Sequence, residues 1–236
     1  LSKVVKERVF IGGCGRTDAQ VHASQYIFHV DFAKEYDFDL LFRLNHALPP
    51  EIAIFDILPV PAEAHARYDA VQRTYDYFIH TRKDPFLYGA SALYADKNLD
   101  LELMKAAVAI LPKYDDYYAF CKSPANFEHT ICRVTSAHLW RDKNSERLRF
   151  QITANRFLTG MIRIIVGRLL EVGTGKMSVK TFKTPLRNRK PPRIITPAYP
   201  QGLYLSKIVY PYLDVPQRTD FAAVFQYEQD GYWVEV

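Results

Sequence analysis

Residues 147–175 read RLRFQITANRFLTGMIRIIVGRLLEVGTG, and the period of the pattern changes midway. From Arg147 to Thr153 polar and apolar residues alternate: Leu148, Phe150 and Ile152 point one way, Arg147, Arg149 and Gln151 the other, which predicts a half-buried strand. From Asn155 the apolar spacing lengthens to that of a helix ending at the Gly173/Gly175 stop. At about 100° per residue Leu158, Ile162, Ile165, Leu169 and Val172 share one arc, and Arg156, Gly160, Arg163 and Gly167 share the opposite one. Glycine on a polar helix face costs up to about 1 kcal/mol against alanine. Two of them predict close packing there, with Arg163 a partly buried cation in need of a carboxylate.

Working outward, alternating or β-branched and aromatic runs predict further strands over 24–32, 73–80 and 203–210. Helical patterns cover 38–47, stopped by Pro49 and Pro50, and 101–111, capped by Asp100 and stopped by Pro112. Strands and helices alternate, so the fold class is α+β or mixed α/β. A boundary is expected over 59–66, where Pro-x-Pro and small residues separate two structured stretches, dividing the chain into 1–66, 67–210 and a tail, 211–236.

The 236 residues suffice for a real core, and 48% hydrophobic with 24% charged is the balance of a globular chain rather than a disordered one. The longest apolar stretch, from Met161 to Val172, is interrupted by Arg163, Arg168 and Glu171, far from the roughly 20 apolar residues of a membrane span. Cys14, Cys121 and Cys132 have no C-x-x-C spacing, and the N-terminus reads as neither signal nor transit peptide, so a reducing cytoplasm is expected. His129-x-x-Cys132 is half of a ligand set without a second half, and no metal site is expected. Lys and Arg exceed Asp and Glu by 31 to 26, a net +5 that permits a polyanionic partner. Two features add to it: the Arg147/Arg149 stripe, and Arg187, Arg189, Lys190 and Arg193 on a segment expected to be irregular. A solvated surface is the plainer reading of both.

The chemistry concentrates in GGCGRTDAQVHA, residues 12–23. Gly12, Gly13 and Gly15 give a tight backbone that presents Arg16 and Asp18 close together. A dinucleotide fingerprint fails because the third glycine position is Asp18, and the phosphate loop fails because Leu170 stands where Gly175-Lys176 would need a glycine. A glycine-rich turn merely capped by Asp18 remains as good a reading as a catalytic one on spacing alone.

With these motifs in view, the chain resembles the tRNA pseudouridine synthases of the TruA type. Their signature GRTDAGVHA stands here as residues 15–23, GRTDAQVHA. Arg73-Thr74-Tyr75-Asp76-Tyr77 is similar to their R-x-Y-x-Y strand, Phe157-Leu158 through Met161-Ile162-Arg163 to Val166-Gly167 to their F-L-x-x-M-V-R-x-x-V-G helix, and Pro197-Ala198 with Gly202-Leu203-Tyr204-Leu205 to their P-A-x-x-G-L-Y-L strand. There are two departures. Gln20 replaces a glycine, with consequences expected for the loop backbone, and only 15 residues precede Arg16 where the family has a strand and a helix. A truncated chain is the simpler account of the second.

The resemblance implies two ferredoxin-like halves with mainly antiparallel sheets flanking a cleft, and an isomerase converting uridine to pseudouridine at positions 38, 39 and 40 of the tRNA anticodon stem-loop. It implies a homodimer, with no cofactor and no metal. Asp18 would be the catalytic carboxylate, Arg163 its guanidinium partner, and Tyr75 a ring against the uracil with a hydroxyl near the C5 proton. Arg16, His22 and Leu205 would touch substrate, although a structural role for His22 is an equal reading. Arg147, Arg149, Arg187, Arg189 and Lys190 are candidates for the RNA backbone. A non-catalytic RNA-binding relative is the alternative, motivated by Gln20 and the short N-terminus.

Overall fold

The computed structural model describes residues 1–95, 98–143, 146–190, 195–215 and 233–236. In chain order the elements are α1 (Ser2–Val5), β1 (Gly12–Gly13), β2 (His22–Ala23), β3 (Phe28–His29), α2 (Leu40–Ala47), β4 (Gln72–His80), β5 (Ala92–Leu93), α3 (Leu101–Val108), β6 (Val134–Asp142), β7 (Arg147–Ala154), α4 (Met161–Gly173), α5 (Val179–Asn188), β8 (Leu203–Val209) and β9 (Trp233–Glu235). The class is α+β, as expected.

One mixed sheet of seven strands dominates, in the order β2-β8-β4-β7-β6-β9, with β5 pairing the far end of β4. β4 is antiparallel to both β7 and β8, so Tyr75 lies opposite Ile152 on one side and Leu205 on the other. The alternation in β7 holds. Leu148, Phe150 and Ile152 are buried with Tyr77 and Ile79 of β4 and with Ile162, Ile165 and Leu169 of α4, in a core that also takes in α3 and α5. The expected pair of comparable halves is unequal here: before β4, the regular structure is two short helices, the β1–β3 pair and β2, which joins the main sheet beside β8.

The main sheet therefore does not respect a boundary at residue 66. It also recruits the expected tail, since Trp233, Val234 and Glu235 pair with β6. Residues 216–232 of that tail, and Arg193 of the basic cluster, lie outside the described residues.

Several element ends moved for local reasons. The helix expected from Asn155 begins at Met161, because Asn155 is held to the end of the sheet by bonds with Arg133, and Gly160 takes a left-handed φ of 72° at the N-cap. Gly160 thus serves a turn, not close packing, and Arg156 is not on the helix. Of the expected run 24–32 only β3, Phe28–His29, is strand, and β2 precedes it: the N–H groups of Ser24 and Gln25 both turn to the Leu205 carbonyl, at 3.0 and 3.3 Å. Asp39 and Asp100 cap α2 and α3 through the N–H groups of Phe42 and Leu103, each at 2.9 Å, and α3 ends at Val108, ahead of a short turn containing Pro112. Arg187 is helical rather than irregular, in the last turn of α5, whose N-cap is Ser178.

Candidate active site

The loop that carries Asp18 is built on close backbone approach. β1 pairs with β3, and a Cβ on Gly12 or Gly13 would run into the His29 ring or the Tyr26 hydroxyl. The Tyr26 hydroxyl donates to the Gly15 carbonyl at 2.6 Å, and the Cys14 N–H to the Ile27 carbonyl at 2.8 Å. Arg73 fastens the base of the loop from β4: its guanidinium donates to the carbonyls of Cys14 (3.1 Å), Arg67 (2.9 Å), Ala70 (3.3 Å) and Asn155 (3.4 Å). Beyond Gly15 the chain turns back on itself. The Val21 N–H reaches the Asp18 carbonyl at 3.2 Å, with Gln20 at the third position and a φ of 65°. A turn with positive φ there favours glycine. Gln20 therefore keeps the backbone that a glycine would give, at the cost of a left-handed conformation.

Across from this turn, Arg163 projects from α4. Its Nη1 donates to Asp18 Oδ2 at 3.1 Å, joining residues 145 apart in sequence. The guanidinium is held from behind as well, Nε donating to the Ala198 carbonyl at 2.7 Å while the Ala198 N–H donates to the Arg163 carbonyl at 2.8 Å. One turn further along the helix, Gly167 lets this segment lie flat, since a Cβ there would strike the Thr196 carbonyl. Close packing was thus the right reason for Gly167, though not for Gly160. The ion pair is open, the Arg163 side chain being 21% exposed and that of Asp18 53%. Among the described residues, Asp18 Oδ1 has no partner.

Residues 114–211 match the sequence family described as tRNA pseudouridine synthase. The chain is 40% identical to a protein of Porphyromonas gingivalis, over 89% of this chain and 84% of that one, and 37% identical to one of Parabacteroides distasonis over 89% and 83%. A protein of Chlorobium luteolum is 33% identical over 89% and 83%. All three carry the name tRNA pseudouridine synthase A. The chain belongs to the tRNA pseudouridine synthase A family.

Other residues that the family resemblance nominated fall into three groups. Tyr75 is beside the pair, half-buried on β4 with its ring edge-on to Phe157 at 5.2 Å. Burial, opposed by the Arg73 charge and helped less by Cys14, Tyr26 and Asp18, pushes its hydroxyl up to about 12. Arg16 is exposed on the same loop and makes no hydrogen bond or ion pair among the described residues. The second group is structural in its contacts. The His22 ring stacks on Tyr204 at 4.6 Å and donates from Nε2 to the Gly89 carbonyl at 2.9 Å. Leu205 is 2% exposed, aligned between Ala23 and Tyr75 under the site.

The third group is the RNA-backbone candidates, where the expected basic stripe is corrected. Arg149 donates from Nε to Asp76 at 2.8 Å and packs over the Trp140 ring at 5.2 Å, and Arg147 lies 3.6 Å from Asp84. Both guanidinium groups face carboxylates on largely buried side chains, so this sheet face is neutralised from within. Arg189 pairs with Asp116 at 2.9 Å, which leaves Arg187 and Lys190 exposed.

Sequence reasoning missed Arg73. Its signal was available: period two places it on the same face of β4 as Tyr75, Tyr77 and Ile79, and an arginine on a core face needs acceptors. Two surface concavities, one beside His80, Asp84 and Arg147 and one beside Phe32, Tyr36 and Ile57, include neither Asp18 nor Arg163. Among the described residues no group of three His, Cys, Asp or Glu side chains is placed to hold a metal ion, and no helix is long and apolar enough to cross a membrane.

Proposed function

We propose that this chain isomerises uridine to pseudouridine in tRNA, at positions 38, 39 and 40 of the anticodon stem-loop, as a cytoplasmic homodimer. The observation that carries the reading is the Asp18–Arg163 contact, 3.1 Å between a glycine-rich loop and a distant helix. The reaction breaks the N1–C1′ bond, turns the uracil and joins C5 to C1′. The C5 proton leaves and a proton ends on N1, so the formula is unchanged and the electrons balance within the nucleotide.

The protein must then supply an anion beside an electron-poor carbon and a path for one proton. Asp18 supplies the anion. Arg163 occupies one carboxylate oxygen, and Oδ1 is left for the substrate. Because the carboxylate is half exposed, the target nucleotide must come to it, out of its stack, and docking of the RNA then excludes water. Tyr75, with its acidity pushed to about 12, keeps its proton at neutral pH and passes one on only as it accepts another. Arg16, exposed on the same loop and without a hydrogen bond or ion pair among the described residues, is available to fill the space the extruded nucleotide vacates. Arg187 and Lys190, exposed near the end of α5, are candidates for phosphate contacts.

Release of tritium from tRNA labelled at uridine C5 tests this directly. Stoichiometric release with wild-type protein supports it. Tight tRNA binding without release would favour the non-catalytic relative instead.

A further inference from the structure

The guanidinium of Arg163 is aimed by the segment behind it, and that segment is gripped at one peptide further on. The Tyr199 carbonyl accepts from the Tyr77 hydroxyl at 2.6 Å, and the Tyr199 N–H donates to the Tyr94 hydroxyl at 2.9 Å. Tyr77, on β4, is fully buried, and Tyr94 lies just past β5 with its ring stacked on that of Tyr199 at 5.1 Å. One hydroxyl comes from β4 and the other from the segment after β5, and the two close on one residue, at its carbonyl and its N–H. Neither is needed to fill space, which a phenylalanine ring would do as well. What each adds is a partner for a main-chain group of Tyr199.

The chain of bonds continues without a gap. Tyr199 follows Ala198, whose carbonyl takes the Arg163 Nε–H at 2.7 Å. A guanidinium is planar, so fixing Nε fixes the plane in which Nη1 meets Asp18. Tyr77 and Tyr94 also lie near enough to Arg163 for its charge to act on both hydroxyls, which burial holds above the usual tyrosine range. Both therefore remain neutral at the pH where the carboxylate works.

We propose that Tyr77 and Tyr94 are positioning residues for the reaction, holding the Tyr199 peptide groups so that Ala198 orients Arg163 against Asp18. The inference rests on the proposed isomerisation, and its test separates the two. In Tyr94→Phe and Tyr77→Phe proteins, the single-turnover rate of tritium release should fall about 10–100-fold, the loss expected of a catalytic group displaced by a fraction of an ångström, with tRNA affinity changed less than about 2-fold. Lysine has no Nε–H to hold the Ala198 carbonyl while it also reaches Asp18. In an Arg163→Lys background the tyrosine substitutions should therefore change the rate less than about 2-fold. An unchanged rate in both variants, an undiminished effect in the lysine background, or a loss confined to affinity would each overturn the proposal. If Tyr77→Phe does not fold, the half-buried Tyr94 carries the test.

A readout independent of turnover is the Arg163 Nε–H resonance in protein labelled with ¹⁵N-arginine. It should be protected from solvent exchange in the wild type and exchange at least about tenfold faster in Tyr94→Phe, the factor expected when a held hydrogen bond is loosened. Protection that survives the substitution would also overturn the proposal. Wild-type protein that shows this protection and its loss, yet releases no tritium, would sink the isomerase reading while leaving the positioning geometry in place.

Discussion

Two arginine–aspartate pairs sit on opposite sides of the same strand, β4, and they are built for different ends. Arg149 and Asp76 meet at 2.8 Å with the carboxylate fully buried and the arginine side chain 18% exposed; Gln151 shares the same oxygen at 3.0 Å. Arg163 and Asp18 meet at 3.1 Å with the carboxylate 53% exposed. In the first pair the aspartate is the closed partner, fixed by its place in the sheet. In the second it is the open partner, on a turn, and the arginine is the one held from behind. A carboxylate that only holds a fold together is best hidden with its partners, whereas one that must meet a substrate needs an oxygen open to approach.

Opposite outcomes for the two aspartates would sharpen this contrast most. Asp18→Asn should lower the rate of tritium release by at least about 10⁴-fold, the scale of removing a reacting group. Its stability should change by less than about 1 kcal/mol, since a half-exposed pair contributes little. Urea unfolding alongside the kinetic assay checks both, and loss of the fold would mean that Asp18 is structural after all. Asp76→Ala should do the reverse. Leaving Arg149 largely buried without its anion should cost about 3 kcal/mol, softened by the Trp140 ring, while the rate per folded molecule stays within about 2-fold. An Asp76→Ala protein as stable as the wild type would end the structural half of the comparison.

The two pairs were not equally legible in the sequence. Asp18 and Arg163 could be nominated because each stood in a local context that periodicity or spacing made odd, a glycine-rich turn and a glycine-flanked helix position. That they meet came only from family resemblance. The Arg149–Asp76 pair was misread as a basic stripe, because alternation assigns residues to a face without saying what covers that face. Asp76 lies on the neighbouring strand, 73 residues away, and only sheet register, which sets it opposite Gln151 and diagonal to Arg149, brings the two together. The start of α4 was missed for a related reason: an apolar period cannot reveal that Asn155 is tied to Arg133 and that Gly160 turns left-handed. Local spacing predicted β4, β7 and β8 and the fold class, but not β6 over Val134–Asp142 or the short strands β2, β5 and β9, and the contacts across the sheet, which decide what each charge does, had no local signal.

Between the two pairs lies Tyr75, and alkaline pH probes how closed its surroundings are. Folded, its hydroxyl is pushed up to about 12 from an ordinary value of 10.0. As pH rises past about 10 the unfolded chain releases this proton while the folded one keeps it, so stability present at lower pH is lost up to about pH 12. At pH 11 this single group should account for about 1 kcal/mol, read as a smaller drop in urea stability between pH 9 and pH 11 for Tyr75→Phe than for the wild type. Equal drops would place Tyr75 in surroundings as open as those of Asp18.

The smallest effect concerns the turn that keeps Asp18 open. Gln20 holds a φ of 65°, exposed and without a hydrogen bond or ion pair among the described residues. Relieving a left-handed conformation in a residue with a Cβ gains about 1–2 kcal/mol, and the greater freedom of glycine in the unfolded chain takes back about 0.5–1 kcal/mol. Gln20→Gly should therefore stabilise the protein by about 0.5–1 kcal/mol, a shift visible in the urea midpoint, with the rate of tritium release within about 2-fold of wild type. That result would mean the strain is tolerated because the turn is exposed and its backbone path is set at both ends, by the Tyr26 and Arg73 contacts on one side and by β2 on the other. A rate that instead rose tenfold or more would show Gln20 to be a brake on the carboxylate. Openness at Asp18 would then come with a loop imperfectly set for its chemistry.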